Sequence, residues 1–173
     1  EAVVIDGSSE PDYVAGSPVV VLDGNGAGAV SGLTLGSGSG GSTIRGMTIN
    51  RFSGTGIDIT GSSNHTIQRN WIGLNSTGTA AAANGGKGLY AINSSGLLIG
   101  GTSVAERNVI SGNAEQGIGF DNVDNSTISG NTALGTEFGD PFTGFSGVGG
   151  GIYFTQDGSL TLLNSTVDNN VAK

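Results

Sequence analysis

Apolar residues come along this chain in short runs, separated by stretches of Gly, Ser, Asn and Thr. The runs fall into pairs. A first run always follows a glycine: Leu33-Thr34-Leu35, Ile57-Asp58-Ile59, Leu89-Tyr90-Ala91, Ile118-Gly119-Phe120 and Ile152-Tyr153-Phe154. A second run is centred on Ile44, Ile67, Ile99, Ile128 and Leu162. From the start of the first run to the centre of the second, the step is 11 residues once and then 10 in every unit. First runs succeed one another at 24, 32, 29 and 34 residues, so variation in length falls outside the fixed half of the unit.

Alternation with period two predicts short β-strands. Ile57/Ile59, Leu89/Ala91, Ile118/Phe120 and Ile152/Phe154 are expected to point inward and stack. A third, weaker strand is expected in some units, around Ile49 and Ile110, each seven residues before a unit glycine, Gly56 and Gly117. The extra length has an address: Leu74–Lys87 and Leu134–Gly149 precede first runs, and Gly100–Arg107 follows a second run. Val3-Val4-Ile5 and Val19-Val20-Val21-Leu22 each run into Asp-Gly, a strong turn signal, and read as entry strands. Pro11 bars a helix between them. A constant internal offset repeated at a period above twenty marks a solenoid rather than a sandwich. The expected architecture is all-β, a parallel β-helix of about five full coils plus entry strands, with residues 1–173 as one domain. Glycine at the corners would supply positive φ, which Asn also tolerates.

Composition agrees and narrows the function classes. There are 34 glycines, no cysteine and 12% charged residues, a poor mixture for helices. The net charge of -8 argues against binding nucleic acid or an anionic membrane through a basic patch. No apolar run approaches the roughly 20 residues of a membrane-spanning helix. Without cysteine there are no disulfides and no thiolate metal sites. The chain begins at Glu1 directly on an apolar run and ends in Asn170-Val171-Ala172-Lys173, with no amphipathic capping segment at either end. That suggests a segment of a larger protein, whose partners include adjacent coils or domains, or a second copy docked end to end.

The stretch Thr43-Ile44-Arg45-Gly46-Met47-Thr48-Ile49-Asn50-Arg51-Phe52-Ser53-Gly54-Thr55-Gly56-Ile57 resembles right-handed parallel β-helix repeats of the pectate-lyase-like superfamily. So does Arg107-Asn108-Val109-Ile110-Ser111-Gly112-Asn113. Gly150-Gly151-Ile152-Tyr153-Phe154, followed by Leu160-Thr161-Leu162-Leu163-Asn164-Ser165-Thr166-Val167-Asp168-Asn169-Asn170, resembles polymorphic-outer-membrane-protein-type repeats. The resemblance implies a right-handed solenoid from a bacterial protein that is secreted or held at the cell surface. It also implies that any polysaccharide would lie along the first-strand sheet.

On that sheet the outward residues form two columns: Thr34, Asp58, Tyr90, Gly119 and Tyr153, then Gly36, Thr60, Ile92, Asp121 and Thr155. Tyr90 and Tyr153 offer ring faces and hydroxyls, and Asp58 and Asp121 offer acceptors, so these four are the candidate ligand-binding residues. The two long insertions are expected to border them. Hydrolysis needs two carboxylates at about 5–9.5 Å. Asp58 and Asp121 lie two coils apart and in different columns, at least ~10 Å between Cα atoms given strand spacings of about 4.8 Å. A non-catalytic scaffold or adhesion-type module that binds a polysaccharide or cell-surface glycan is therefore expected, with no catalytic residue assigned. The alternatives are a polysaccharide lyase or hydrolase using the same face, and a pure spacer.

Other features carry weaker signals. His65 is expected to be a polar surface residue of a turn, and Trp71 to pack in the core or against a loop. Asp121-Asn122-Val123-Asp124-Asn125 alternates oxygen donors as Ca²⁺ loops do, but it lacks the EF-hand glycine and the bidentate Glu. No cofactor or metal ligand set is expected, with Ca²⁺ at this segment as the alternative. Thr43, Thr66, Thr127 and Thr161 form an outward column that Leu98 interrupts, which suits ladder packing better than an ice-binding surface. Asn-x-Ser/Thr sequons stand at Asn64, Asn75, Asn93, Asn125 and Asn164, and matter only in a eukaryotic secretory pathway.

Overall fold

The computed structural model of the chain describes residues 1–134, 151–155, 160–163 and 166–168. Its strands form three parallel sheets, each visited once per turn of the chain. The first sheet stacks β3 (Leu33–Leu35), β6 (Ile57–Thr60), β9 (Leu89–Ser95), β12 (Ile118–Asp124) and β15 (Ile152–Thr155). The second stacks β1 (Val4–Asp6), β4 (Thr43–Arg45), β7 (Thr66–Gln68), β10 (Leu98–Gly100), β13 (Ser126–Ser129) and β16 (Leu160–Leu163). The third stacks β2 (Val20–Asp23), β5 (Met47–Asn50), β8 (Trp71–Ile72), β11 (Val109–Ser111), β14 (Thr132–Leu134) and β17 (Thr166–Asp168). Connections between parallel neighbours in a sheet are right-handed for the reason that makes strands twist, and the coil winds in that sense.

The register follows the spacing. Leu33, Ile57, Leu89, Ile118 and Ile152 are Cα partners down the first sheet. Ile5, Ile44, Ile67, Ile99, Ile128 and Leu162 are partners down the second. The third sheet is more regular than the sequence suggests: Leu22, Ile49, Ile72, Ile110, Ala133 and Val167 form an unbroken column. Its strands escape a reading by apolar runs because Trp71-Ile72 and Thr132-Ala133-Leu134 are too short or too weakly apolar to stand out. The two entry strands are also placed more specifically than expected. β1 belongs to the second sheet and β2 to the third, so together they make an incomplete coil ahead of the five full ones.

The inward residues make one core. Ile44, Ile49, Ile57, Ile59, Ile67, Ile72, Leu89, Ile99, Ile110, Ile118, Phe120 and Ile128 are fully buried, each stabilising the fold by about 1.5–3 kcal/mol relative to exposure. Phe120 continues the stack onto Phe154 through an edge-to-face contact, with ring centroids 6.5 Å apart. The glycine ahead of each first strand is needed for a different reason than positive φ. A Cβ on Gly32, Gly56 or Gly88 would lie 2.5–2.7 Å from the backbone carbonyl oxygen of the equivalent glycine one coil on. It would also meet the Cγ2 of Ile49, Ile72 or Ile110 at 2.4–3.0 Å. Close packing of coil on coil removes the side chain there.

Positive φ is used at the corners instead. Between the first and second sheets Gly41, Asn64, Gly96 and Asn125 stand two residues before the register row Thr43, Thr66, Leu98 and Thr127, all with φ between 47° and 83°. Backbone N–H groups of Gly41, Asn64 and Gly96 each donate to a carbonyl one coil further on, Ser63, Ser95 and Asp124. This explains why sequons recur at Asn64 and Asn125: a left-handed Asn, a buried corner residue and an outward strand Thr fall in succession.

Candidate functional site

The first-sheet face has the register expected of it. Thr34, Asp58, Tyr90, Gly119 and Tyr153 are successive Cα partners, and Thr60, Ile92, Asp121 and Thr155 form the neighbouring column. Gly36 lies just beyond the paired residues. Asp58 and Tyr90 are thus adjacent across one strand spacing, both half-buried, and Thr60 Oγ1 donates to Asp58 Oδ1 at 3.3 Å. Asp121 is two coils from Asp58 and one column over. The side chain of Tyr153 lies outside the described residues.

The structure adds Lys87 and Glu115 to this face. Lys87 Nζ sits 4.8 Å from the centroid of the Tyr90 ring and donates to Glu115 Oε2 at 2.9 Å. Its methylenes pass over Gly119, where a Cβ would meet Lys87 Cδ at 2.8 Å. A cation over the ring is attracted by its negative face, so that face of Tyr90 is occupied and the strip offers hydrogen-bonding groups more than an open stacking platform. Sequence reasoning passed over both residues because they precede the strands. The signal was there: Lys87 and Glu115 stand two and three positions ahead of Leu89 and Ile118.

The insertion of residues 74–87 corrects an expectation. It was expected to border the first sheet, but only its last residue, Lys87, does so. Its body folds as a small hairpin, with Leu74 and Ala81 bridged antiparallel, over the outer face of the third sheet. Arg51 N donates to Ala82 O, and Ala82 N to Gly73 O. A Cβ on Gly78 would lie 2.5 Å from Trp71 Cη2, so the hairpin rests on the indole. Trp71 packs against a loop. The other long insertion, from Leu134 to Gly149, lies outside the described residues beyond Leu134 itself.

That roof makes an open cleft of about 360 Å³ lined by Val21, Asp23, Asn50, Arg51, Asn75, Ser76 and Ala82. Under it all four residues of β5 are buried, the outward Thr48 and Asn50 included. Arg51, at φ 58°, reaches back one coil and forks onto Asp23: Nε donates to Oδ1 at 2.8 Å and the second guanidinium nitrogen to Oδ2. These bonds, with Asn25 N–H donating to Asp23 Oδ1, hold the Asp23 carboxyl below the usual range, and Asp23 raises Arg51. Asn75 spends its amide on its own loop, accepting from Thr79 N and Thr77 Oγ1. Asn50 is 3% exposed, and its Nδ2 donates to Leu74 O at 2.7 Å. Its Oδ1 accepts nothing within the protein. Leaving a buried acceptor unpaired costs about 1–3 kcal/mol.

His65 also differs from expectation. It is fully buried, because the position just before Thr43, Thr66, Leu98 and Thr127 is an inward corner shared by Ser42, His65, Leu97 and Ser126. His65 Nε2 and Ser62 Oγ are 2.9 Å apart, and Ser62 Oγ is 3.0 Å from Ser39 Oγ. Burial pushes the His65 pKa below its ordinary value, so the ring is neutral at pH 7. In Asp121–Asn125, Val123 is buried and Asn122 and Asn125 adopt left-handed φ, while Asn122 Nδ2 donates to Asn93 Oδ1 at 2.7 Å. The segment finishes β12 and turns the corner. Among the described residues no group of three His, Cys, Asp or Glu could hold a metal ion. The threonine column is present in register, as Thr43, Thr66, Leu98, Thr127 and Thr161, with Val4 at its head.

Residues 31–173 match the family described as the right handed beta helix region. No curated protein sequence matches the chain.

Proposed function

Because the chain belongs to the right-handed β-helix family, we propose that it is a non-catalytic recognition scaffold, secreted or displayed at a cell surface, that presents its first-sheet face to a carbohydrate. The observation that carries this reading is the side-by-side placement of Asp58 and Tyr90, with Lys87 lying on the tyrosine and Glu115 holding Lys87. Carboxylate, phenol and ammonium along one rigid edge provide both acceptors and donors for sugar hydroxyls. The two carboxylates of the candidate set, Asp58 and Asp121, are two strand spacings apart, too far for the acid and nucleophile of a retaining glycosidase. Lasting partners of such a module would be neighbouring coils or domains of the same protein, or a second copy meeting it end to end.

The test is a glycan array with the wild-type chain, Tyr90→Ala and Asp58→Ala, alongside a depolymerisation assay on acidic and neutral polysaccharides. Binding to a defined glycan that both substitutions weaken at least tenfold, without turnover, supports the module. Product release abolished by Asp58→Ala would replace it with an enzyme. No binding and no turnover would leave a spacer.

A further inference from the structure

We propose that the cleft between the third sheet and the hairpin of residues 74–82 is a second ligand site, taking one residue of a neutral saccharide. This does not depend on the first-sheet reading: the two faces belong to different sheets and share none of the residues invoked. Two observations point to this ligand class. Asp23 and Arg51 neutralise each other, so the cleft has no net charge to attract a phosphate, a sulfate or a metal ion. Their fork nevertheless sets guanidinium N–H groups beside carboxylate oxygens at the cleft wall. Neighbouring hydroxyls of a sugar ring, each both donor and acceptor, match such a pair. Asn50, buried in the same wall, commits its Nδ2 to Leu74 O and so fixes the hairpin that roofs the cleft.

The remaining surroundings fit. Val21, 40% exposed on the floor, offers an apolar patch for the C–H face of a ring. Ser76 at the rim provides a further hydroxyl, and the volume lies at the small end of the about 300–1,000 Å³ range of ligand pockets, room for a single sugar residue. The site is also pre-formed. Arg51 is held by Asp23 and through its backbone by Ala82 O, and the hairpin is seated on Trp71. A ligand therefore need not order the groups that hold it.

The full chain is titrated by saturation-transfer NMR and calorimetry with D-glucose, D-galactose, D-mannose, L-fucose, N-acetyl-D-glucosamine and N-acetyl-D-galactosamine. Sodium sulfate and calcium chloride are run in parallel. Arg51→Gly removes the guanidinium while suiting the left-handed backbone at that position. Ser76→Trp blocks the rim from outside the core. Fluorescence of Trp71 in Arg51→Gly checks that the hairpin stays seated. The expected result is that at least one sugar binds, that both variants weaken it tenfold or more, and that Asp58→Ala leaves it unchanged. Binding of none of the six sugars overturns the proposal, as does sugar binding indifferent to both variants. A response at the cleft to sulfate or Ca²⁺ alone also overturns it. Absence of any first-sheet glycan binding by the wild-type chain, with this binding intact, would count against the proposed function and not against this site.

Discussion

Asn108 shows how a single polar side chain can be worth more to this fold than a core methyl group. Its Oδ1 accepts from Asn70 N at 3.0 Å and Asn70 Nδ2 at 3.1 Å, and its Nδ2 donates to Ile67 O at 2.8 Å and Asn131 Oδ1 at 2.9 Å. Asn70 and Asn131 repeat the pattern, donating to Ile44 O and Ile99 O, so three fully or nearly buried amides close the corner between the second and third sheets. Corners have no ladder partners of their own, and buried backbone groups left unpaired are costly. Asn108→Ala should therefore lose at least about 3 kcal/mol of stability. Asn25→Ala, at an exposed position outside the left-handed region, should lose well under about 1 kcal/mol. Urea unfolding of the two variants checks the contrast, and equal losses would mean that the ladder is not what holds the corner.

At the scale of elements, attachment of the incomplete first coil rests on a charge pair as well as on packing. Arg45 of β4 donates to Asp6 of β1 at 2.6 Å, and Asp6 also accepts from Ser8 N and Ser8 Oγ. Chiefly the Arg45 hydrogen bond, assisted by Ser8, holds the Asp6 carboxyl at about 2. In the unfolded chain the carboxyl returns to roughly 3.9. The folded state thus binds its proton less readily, and the pair stabilises it fully above about pH 5. That contribution is lost as the pH falls from about 4 towards 2. Both side chains are partly solvated, so solvent screening reduces it to about 1 kcal/mol. Asp6→Asn should lower stability by that amount at pH 7 and by almost nothing at pH 2, read from urea midpoints at the two pH values. An equal deficit at both would assign the effect to packing. The hairpin over the third sheet shows the same logic without charge: it is placed by the Trp71–Gly78 contact, two backbone bonds and the Asn50 amide, and its placement creates the cleft.

Across the whole molecule stability is a sum over coils and the interfaces between them. β9 and β12 have ladder neighbours on both sides and share the longest register in the structure. β1, β2 and β3 have a neighbour on one side only, and Val3, Val4 and Val19 beside them are 39–68% exposed. Hydrogen exchange should accordingly be slowest in β6 to β12 and fastest in β1 and β2 of the 173-residue chain in dilute solution. If the open edge docks on a second copy, protection of β1 to β3 should rise with concentration. Strong protection there in a proven monomer would remove the case for end-to-end pairing.

The linear order by itself determined the coil. A ten-residue step between Ile57 and Ile67, kept as length varied elsewhere, can persist only if equivalent residues stack, so fold, register and the inward isoleucines were all legible. The outward partners followed from strand periodicity, which is why Asp58 and Tyr90 could be placed side by side. The third sheet was half-legible, because Trp71-Ile72 and Thr132-Ala133-Leu134 gain their strand geometry from neighbours above and below more than from their own residues. Tertiary structure alone decided the rest. His65 is buried because its corner position points inward whatever residue occupies it. Lys87 covers Tyr90 because the chain re-enters the first sheet beside it. The hairpin chose the third sheet over the first because a glycine with no side chain could lie on Trp71, and nothing local in residues 74–82 names the surface they will cover. The cleft, with Asp23, Asn50 and Arg51 brought from two coils under one roof, exists only through that choice.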